Sequence, residues 1–310
     1  MSVRIYLYLV GLGALSMAQD SLACSICRCG DPTFNALGKE GVPQAGLRVA
    51  VDYDSLDKTQ GSVASDSLEE LSEQRITWLA AYSISDRVAL FARVPYSWRD
   101  LKETAGGPTA HNTSAGLADP ELYGQIRLWS SPFEVEVGER ASVYAVGGVK
   151  TSWGENNFQI DGERADEHLQ PGTGSTDWFG GLAGFYQLDR KSSLFASAQY
   201  RYTGRNDAGY RYGNIWLANF AYEHKFTPQF DSTLELNYRQ AQRDEINNIG
   251  AVDENTGGSM LFVTPRVLFS VGGNWVLRGA VQIPVTQSGL NGEQHEGTVW
   301  NIGVTYLFAH

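Results

Sequence analysis

Three cysteines near the N-terminus form the most distinctive chemical group in the sequence. Cys24, Cys27 and Cys29 stand within six residues, in the run CSICRCGDP. Thiolates bind Cu(I) and Zn, and the free amine of Cys24 or a histidine would complete such a site. The alternatives are one disulfide with an odd thiol, or a lipid on Cys24. These interpretations stay open, because three clustered thiols suggest a metal but leave it one ligand short.

Other kinds of chemistry find little support in the residue pattern. Arg28 follows the second cysteine where covalent c-type haem needs a histidine, and an iron–sulfur cluster lacks a fourth cysteine. Of the five histidines only His224 falls in a predicted strand, near one rim of the fold. No serine and acid are evident beside it at the depth where a lipid hydrolase would act. We therefore expect that the protein is not an enzyme.

The composition excludes several classes of protein. Asp and Glu number 35 against 24 Lys and Arg, a net charge of −11, so a basic face for nucleic acid is not expected. Aromatic residues make up 12% of the chain and charged residues only 19%, which is atypical of a disordered chain. Three cysteines are too few for a disulfide scaffold. Abundant Gly, Tyr and Trp favour many short strands joined by tight turns.

The first 23 residues have the features of a secretory signal peptide. Arg4 precedes an apolar run from Ile5 to Met17, and small residues precede Cys24. We expect residues 1–23 to be removed on export and residues 24–45 to form a cysteine-containing periplasmic segment. No later apolar run approaches the ~20 residues of a membrane helix. The exported chain is therefore periplasmic, secreted or a membrane β-barrel.

Alternating hydropathy predicts a chain made of strands. In residues 299–308 the side chains of Trp300, Ile302, Val304 and Tyr306 share one face, and smaller or polar side chains share the other. Twelve such strands are predicted, at 46–57, 73–84, 87–98, 118–130, 141–152, 177–187, 192–203, 211–225, 230–241, 259–270, 274–285 and 298–308.

The links between the predicted strands distinguish a membrane barrel from a soluble sandwich. Short links such as 85–86 mostly alternate with long ones such as 58–72 and 99–117. An outer-membrane barrel has this alternation, because short turns face the periplasm and long loops face outside. Tryptophans recur at strand ends, as an interfacial girdle requires. The predicted fold is thus an all-β, transmembrane, antiparallel up-and-down barrel over 46–308, and the alternative is a two-sheet sandwich.

Three stretches carry a family resemblance. They are residues 115–128 (AGLADPELYGQIRL), 193–213 and 262–285. These stretches resemble outer-membrane proteins of the phenol-degradation meta-pathway or transporter family, with Ala118 where the family has Gly. The resemblance covers roughly residues 75–308 and implies an outer-membrane channel for small solutes, often hydrophobic or aromatic compounds.

Charged side chains occupy the face of each strand that would point into such a barrel. Unpaired charges are prohibitively costly to bury, so they must pair with each other or meet water. One interpretation is an Arg–carboxylate ladder that braces a narrow barrel, and the other is a water-filled path that favours anionic or polar solutes. The residues predicted to line the interior are Arg48, Asp52, Arg93, Glu121, Arg127, Arg201, Glu235, Arg239, Arg266 and Arg278.

Two functions follow from these observations. The first is a channel or transporter in the Gram-negative outer membrane, which contacts membrane lipid and a small-molecule solute and performs no chemistry. The alternative is a barrel whose N-terminal cysteines bind Cu(I) or Zn as a metal-handling or redox module. In that case the segment would have a periplasmic partner.

Overall fold

The computed structural model describes residues 46–62, 67–104, 109–135, 138–246, 251–252, 256–288 and 294–308. The predicted signal peptide and cysteine-containing segment lie outside these residues. Twelve antiparallel strands form one closed barrel, which confirms the predicted fold. Among the described residues no helix has the length and hydropathy to cross a membrane.

Ten of the barrel strands are continuous and two are interrupted. The continuous strands are β1 (Gly46–Ser62), β2 (Ser67–Ser83), β3 (Val88–Thr104), β5 (Ala141–Lys150), β6 (Asp177–Gln187), β7 (Ser192–Tyr202), β8 (Ile215–Lys225), β9 (Phe230–Ala241), β10 (Gly258–Val271) and β11 (Trp275–Ser288). The interrupted strands are β4, made of β4a (Ala110–Leu117) and β4b (Glu121–Ser130), and β12, made of β12a (Gln294–Glu296) and β12b (Val299–Phe308).

Each strand pairs with its neighbours in the chain, and the first strand pairs with the last. The closing register of β1 and β12b runs from Leu47 opposite Phe308 to Ser55 opposite Trp300. Within the described residues, closure pairs both edges of the barrel sheet, which a strand in hydrocarbon requires because lipid offers no hydrogen-bond partners.

The two faces of the strands have opposite chemistry. In β9, Leu234 and Leu236 are 53% and 44% exposed, whereas Glu235 and Asn237 are 0% and 2% exposed. The same alternation leaves Trp78, Trp178 and other large apolar side chains on the outside around the barrel. An apolar side chain of this size costs about 1.5–3 kcal/mol when left in water, so the outer band requires hydrocarbon around it.

The two ends of the barrel differ. At the turn end, neighbouring strands meet in short links such as 84–87, 188–191, 226–229 and 272–274. At the loop end, longer segments connect the strands, above all residues 151–176 between β5 and β6, here named the mouth loop.

Two of the predicted long loops, 58–72 and 99–117, are mostly strand. β1 continues to Ser62 and β2 begins at Ser67, with pairs such as Thr59 opposite Glu70. β3 likewise continues to Thr104 and β4a begins at Ala110. The strands project past the apolar band, where outward side chains are polar, so hydropathy no longer alternates although backbone pairing continues.

The interruption of β4 lies at residues 118–120. β4a pairs with the loop-end half of β3, and β4b resumes with Glu121 opposite Arg93. Pro120 has no N–H group to continue the ladder, and the N–H of Ala118 donates to the carbonyl of Pro95 at 2.9 Å. The break places Asp119 between the wall and the mouth loop.

Candidate functional site

The structure places the predicted interior residues on the inward faces of their strands. Eight are buried, namely Arg48, Asp52, Glu121, Arg201, Glu235, Arg239, Arg266 and Arg278. Arg93 and Arg127 are partly buried. Most of these charges meet an opposite charge.

Arg127 has a different position from that of the others. It lies at the turn end, where its guanidinium meets Asp86 Oδ2 at 2.5 Å and Glu139 Oε2 at 3.0 Å. Asp86 is largely exposed, so Arg127 joins two turns at the rim and lies away from the middle of the barrel.

Two buried ion pairs brace the middle of the wall. Asp52 and Arg278 meet at 2.7 Å, and Glu235 and Arg266 meet at 2.8 Å. Each pair joins strands on the inward face, where breaking a buried ion pair costs about 3–5 kcal/mol.

A further set of charges lies toward the loop end. Glu296 of β12a pairs with Arg239 and lies 3.7 Å from Lys58. Glu73 and Arg75 meet at 2.5 Å. The Glu296 contacts connect β12a with β9 and β1 inside the projecting part of the wall, and Glu73 Oε2, 3.7 Å from Arg99 Nε, connects β2 with β3. These contacts support the ladder interpretation of the charges.

Glu121 joins one arginine of the adjacent strand and one of a distant strand, and these three side chains are here named the clasp. Arg93 Nη1 donates to Glu121 Oε2 at 2.9 Å, and Arg201 Nη2 donates to Glu121 Oε1 at 2.7 Å. Arg93 is the direct neighbour of Glu121 across β3 and β4b, whereas Arg201 comes from β7, three strands further around the barrel.

An aromatic wall adjoins the clasp, and the sequence analysis did not identify it as part of the site. The rings of Phe91 and Tyr123 stack with centroids 4.6 Å apart and planes 2° from parallel. Phe179 lies 5.9 Å from Tyr123, and the Arg201 guanidinium lies 4.9 Å above the Phe179 ring. The alternating pattern could predict that Phe91 points inward, but its contact with Tyr123 depends on the register between β3 and β4b.

The mouth loop folds back against inward-facing residues at the loop end. Leu169 is fully buried in a cluster with Leu71, Leu101 and Ala165. Arg99 Nη1 donates to the carbonyls of His168 at 2.9 Å and Gln170 at 2.5 Å. The loop therefore covers part of the opening between β2, β3 and β4a.

Lys150 anchors the far end of the mouth loop. Its ammonium lies 2.8 Å from Asp119 Oδ2 and 3.3 Å from Asp177 Oδ2, and it donates to the carbonyl of Ser175 at 2.8 Å. Asp119 also accepts the N–H groups of Gly154 at 3.0 Å and Thr173 at 2.7 Å. One carboxylate at the break in β4 thus holds both arms of the loop.

One titratable pair lies within the mouth loop. His168 Nδ1 and Asp166 Oδ1 are 3.0 Å apart. Burial raises the pKa of the Asp166 carboxyl, and the hydrogen bonds and charge of His168 outweigh that effect and bring the pKa to about 2. The carboxylate is therefore ionised at neutral pH and caps this part of the loop.

His224 has a serine neighbour that the sequence analysis missed. Ser192 Oγ lies 3.0 Å from His224 Nδ1, and the Tyr222 hydroxyl donates to Ser192 Oγ at 3.3 Å. Ser192 precedes His224 by 32 positions in the chain, and the pairing of β7 with β8 brings the two side chains together. Ser192 is 4% exposed, which leaves its hydroxyl poorly placed for attack on a substrate.

The predicted metal ligands Cys24, Cys27 and Cys29 lie outside the described residues. Within the part of the chain that the structure describes, no group of three or more His, Cys, Asp or Glu side chains is arranged to hold a metal ion.

A family model described as “Putative MetA-pathway of phenol degradation” matches residues 58–302. No curated protein sequence matches the chain.

Among solved structures, an outer membrane channel from Pseudomonas putida F1 is similar over 88% of this chain and 99% of its own, with a TM-score of 0.66 and 13% identity. The toluene transporter TbuX of Ralstonia pickettii has a TM-score of 0.47 and 10% identity, over 87% of this chain and 91% of its own. At 13% identity the likeness to the Pseudomonas putida F1 channel concerns the barrel fold.

Proposed function

Since the chain belongs to the family described as “Putative MetA-pathway of phenol degradation”, we propose that it is an outer-membrane channel through which small aromatic solutes pass without chemical change. Its outer surface contacts membrane lipid, and its interior contacts the solute. The turn end faces the periplasm and the loop end faces outside, as in other barrels of this kind.

The observation that supports this function best is the aromatic wall inside a charged interior. Phe91, Tyr123 and Phe179 present ring faces next to Arg93 and Arg201. Offset and edge-on contacts between aromatic rings contribute about 0.5–1.5 kcal/mol beyond the buried area. An aromatic solute would gain these contacts on its way through, and an aliphatic solute of similar polarity would not.

We infer that the clasp and the mouth loop together close the solute path. The clasp joins β3 and β4b to β7, three strands further around the barrel, at the level of Glu121, and the mouth loop covers part of the opening at the loop end. A solute passes when the mouth loop moves aside and the clasp opens. This requirement explains how a twelve-stranded barrel, which is wider than the filled eight-stranded ones, avoids leaking other solutes.

The periplasmic partner of residues 24–45 and the metal at their cysteines remain proposals based on the sequence. Thiolates are ligands that a soft metal ion prefers.

Swelling of proteoliposomes tests the channel function. Phenyl β-glucoside and methyl β-glucoside are both too polar to cross lipid readily, and they differ in the aromatic ring. We expect faster swelling with the phenyl compound in spite of its larger size, and loss of this preference in Phe179→Ala. Leu182→Ala in the same strand changes an outward, 55% exposed side chain and serves as the control. No swelling, or faster swelling with the smaller methyl compound, contradicts the proposal.

A further inference from the structure

We propose that the clasp is a binding site for a carboxylate, and that the solutes of this channel are aromatic carboxylates. The inference rests on the proposed channel function and adds the charge of the solute. It comes from three features of the described residues, namely the geometry of the clasp, its contact with the aromatic wall and two buried donors beside it.

The clasp already holds one carboxylate between two guanidinium groups. Arg93 and Arg201 each donate to a different oxygen of Glu121, at 2.9 and 2.7 Å. Arginine is the side chain best suited to carboxylates, because its planar donors match the two oxygens. Glu121 thus occupies the position that the carboxylate of a solute would take.

The aromatic wall lies one inward position away from the clasp. In the pairing of β3 with β4b, Arg93 opposite Glu121 is followed on the same face by Phe91 opposite Tyr123. In β6 and β7, Phe179 is the direct partner of Arg201. A ring that carries a carboxylate would therefore lie against Phe91, Tyr123 and Phe179 while its charged group reaches the two arginines.

Two buried donors at the clasp have no hydrogen-bond partner among the residues that the structure describes. They are Nε of Arg93 and Nε2 of Gln199. Gln199 precedes Arg201 by two residues on the inward face of β7, and its side chain is buried. A buried donor without a partner is costly, and a ligand that brings only acceptor atoms would satisfy both.

Passage then follows as an exchange of carboxylates. The carboxylate of the solute takes the place of Glu121 between the arginines, which keep an opposite charge, and the displaced Glu121 carboxylate meets the water of the opened path. A neutral aromatic solute can pass when the clasp opens, but it crosses more slowly than an anion because it gives the two arginines no opposite charge in place of Glu121. The clasp therefore selects anions, and the wall selects rings among the anions.

Reversal potentials in planar bilayers test the inference on the purified full chain. With a gradient of sodium benzoate at pH 7.5, we expect benzoate to permeate roughly tenfold better than sodium ion. This ratio corresponds to about one charge-assisted hydrogen bond, which benzoate can accept from the arginines and sodium ion cannot. With sodium acetate, which lacks the ring, we expect a smaller anion preference. Glu121→Gln keeps the shape of the side chain but removes the carboxylate that competes with benzoate for the two arginines. The preference for benzoate should therefore increase severalfold.

Arg93→Gln and Arg201→Gln should each abolish the preference for benzoate. Arg140→Gln is the matched control, since it removes an arginine at the turn end whose guanidinium pairs with Glu134 at 2.9 Å. The shift of folded barrels on unheated gels confirms folding of each variant, and Glu121→Gln provides a gain of selectivity that misfolding cannot imitate. Conduction of potassium chloride without any preference for benzoate, or a preference that survives both arginine variants, overturns the inference alone. Absence of conduction with every salt overturns the channel function as well.

Discussion

The carboxylate of Asp52 and the guanidinium of Arg278 meet at 2.7 Å directly across Gly303, the residue of β12b that lies between their strands. A Cβ atom on residue 303 would lie 2.0 Å from Asp52 Oδ1 and 2.8 Å from Arg278 Nη2. The absence of a side chain at this position therefore lets an ion pair bridge two strands where the barrel closes.

Gly303→Ala should lower the stability of the barrel by about 1–3 kcal/mol, because the methyl group forces the ion pair apart. The measurement is the temperature at which the folded band disappears on gels. Gly279→Ala in β11 is the control, since its Cβ would meet Val267 at an ordinary 3.6 Å. Equal transition temperatures for both variants would refute the bridging role of Gly303.

Asp119→Asn should release the mouth loop, because the amide no longer neutralises the buried ammonium of Lys150. We expect trypsin to cleave after Arg164 roughly tenfold faster, which corresponds to about 1.4 kcal/mol less stability of the closed loop. Asp161→Asn is the control. It changes a loop residue with a φ of 53°, which asparagine tolerates, and trypsin should cleave this variant at the wild-type rate. An unchanged rate in Asp119→Asn would show that the loop is held by other contacts.

Leu236→Arg should destabilise the barrel in lipid by about 2–4 kcal/mol, because it places a charge in the middle of the outward face. Ile246→Arg introduces the same charge in a hairpin beyond the barrel at similar exposure, 43% against 44%, and should have little effect. Unfolding by guanidinium in liposomes gives both free energies. If the two substitutions cost the same, hydrocarbon does not surround β9.

Mature protein purified from the outer membrane should contain about one Cu(I) or Zn ion per chain. Simultaneous Cys24→Ser, Cys27→Ser and Cys29→Ser substitutions should remove it, since the thiolates are the predicted ligands. Elemental analysis by mass spectrometry measures the difference. The same metal content in both proteins would contradict metal binding and favour a disulfide or a lipid anchor at the cysteines.

The number of barrel strands and the direction of their side chains could be predicted because both follow from local alternation. Glu235 and Leu236 already have opposite chemistry in the sequence, and their faces follow from strand geometry. The breaks at 118–120 and 297–298 lie at the starts of the predicted strands 118–130 and 298–308. The strand pieces before them, Ala110–Leu117 and Gln294–Glu296, could not be predicted, because they pair beyond the stretches in which hydropathy alternates.

The partners of the interior charges depend on the circumference of the barrel. Glu121 and Arg201 are 80 positions apart and meet only because three strand spacings and the inward reach of both side chains match. The aromatic wall has the same dependence on register. Composition could indicate that charges must pair, but it could not select which charge meets which.

Labelling of the inward face tests most directly that solute passes through the inside of this barrel. In a background with Cys24, Cys27 and Cys29 changed to serine, Ala81→Cys places a thiol on the inward face and Ala80→Cys places one on the outward face of β2. After reaction with a bulky, water-soluble thiol reagent, the uptake of phenyl β-glucoside should fall severalfold in Ala81→Cys and stay unchanged in Ala80→Cys. Full uptake by labelled Ala81→Cys, or uptake while its thiol cannot be labelled, would contradict passage through the barrel interior.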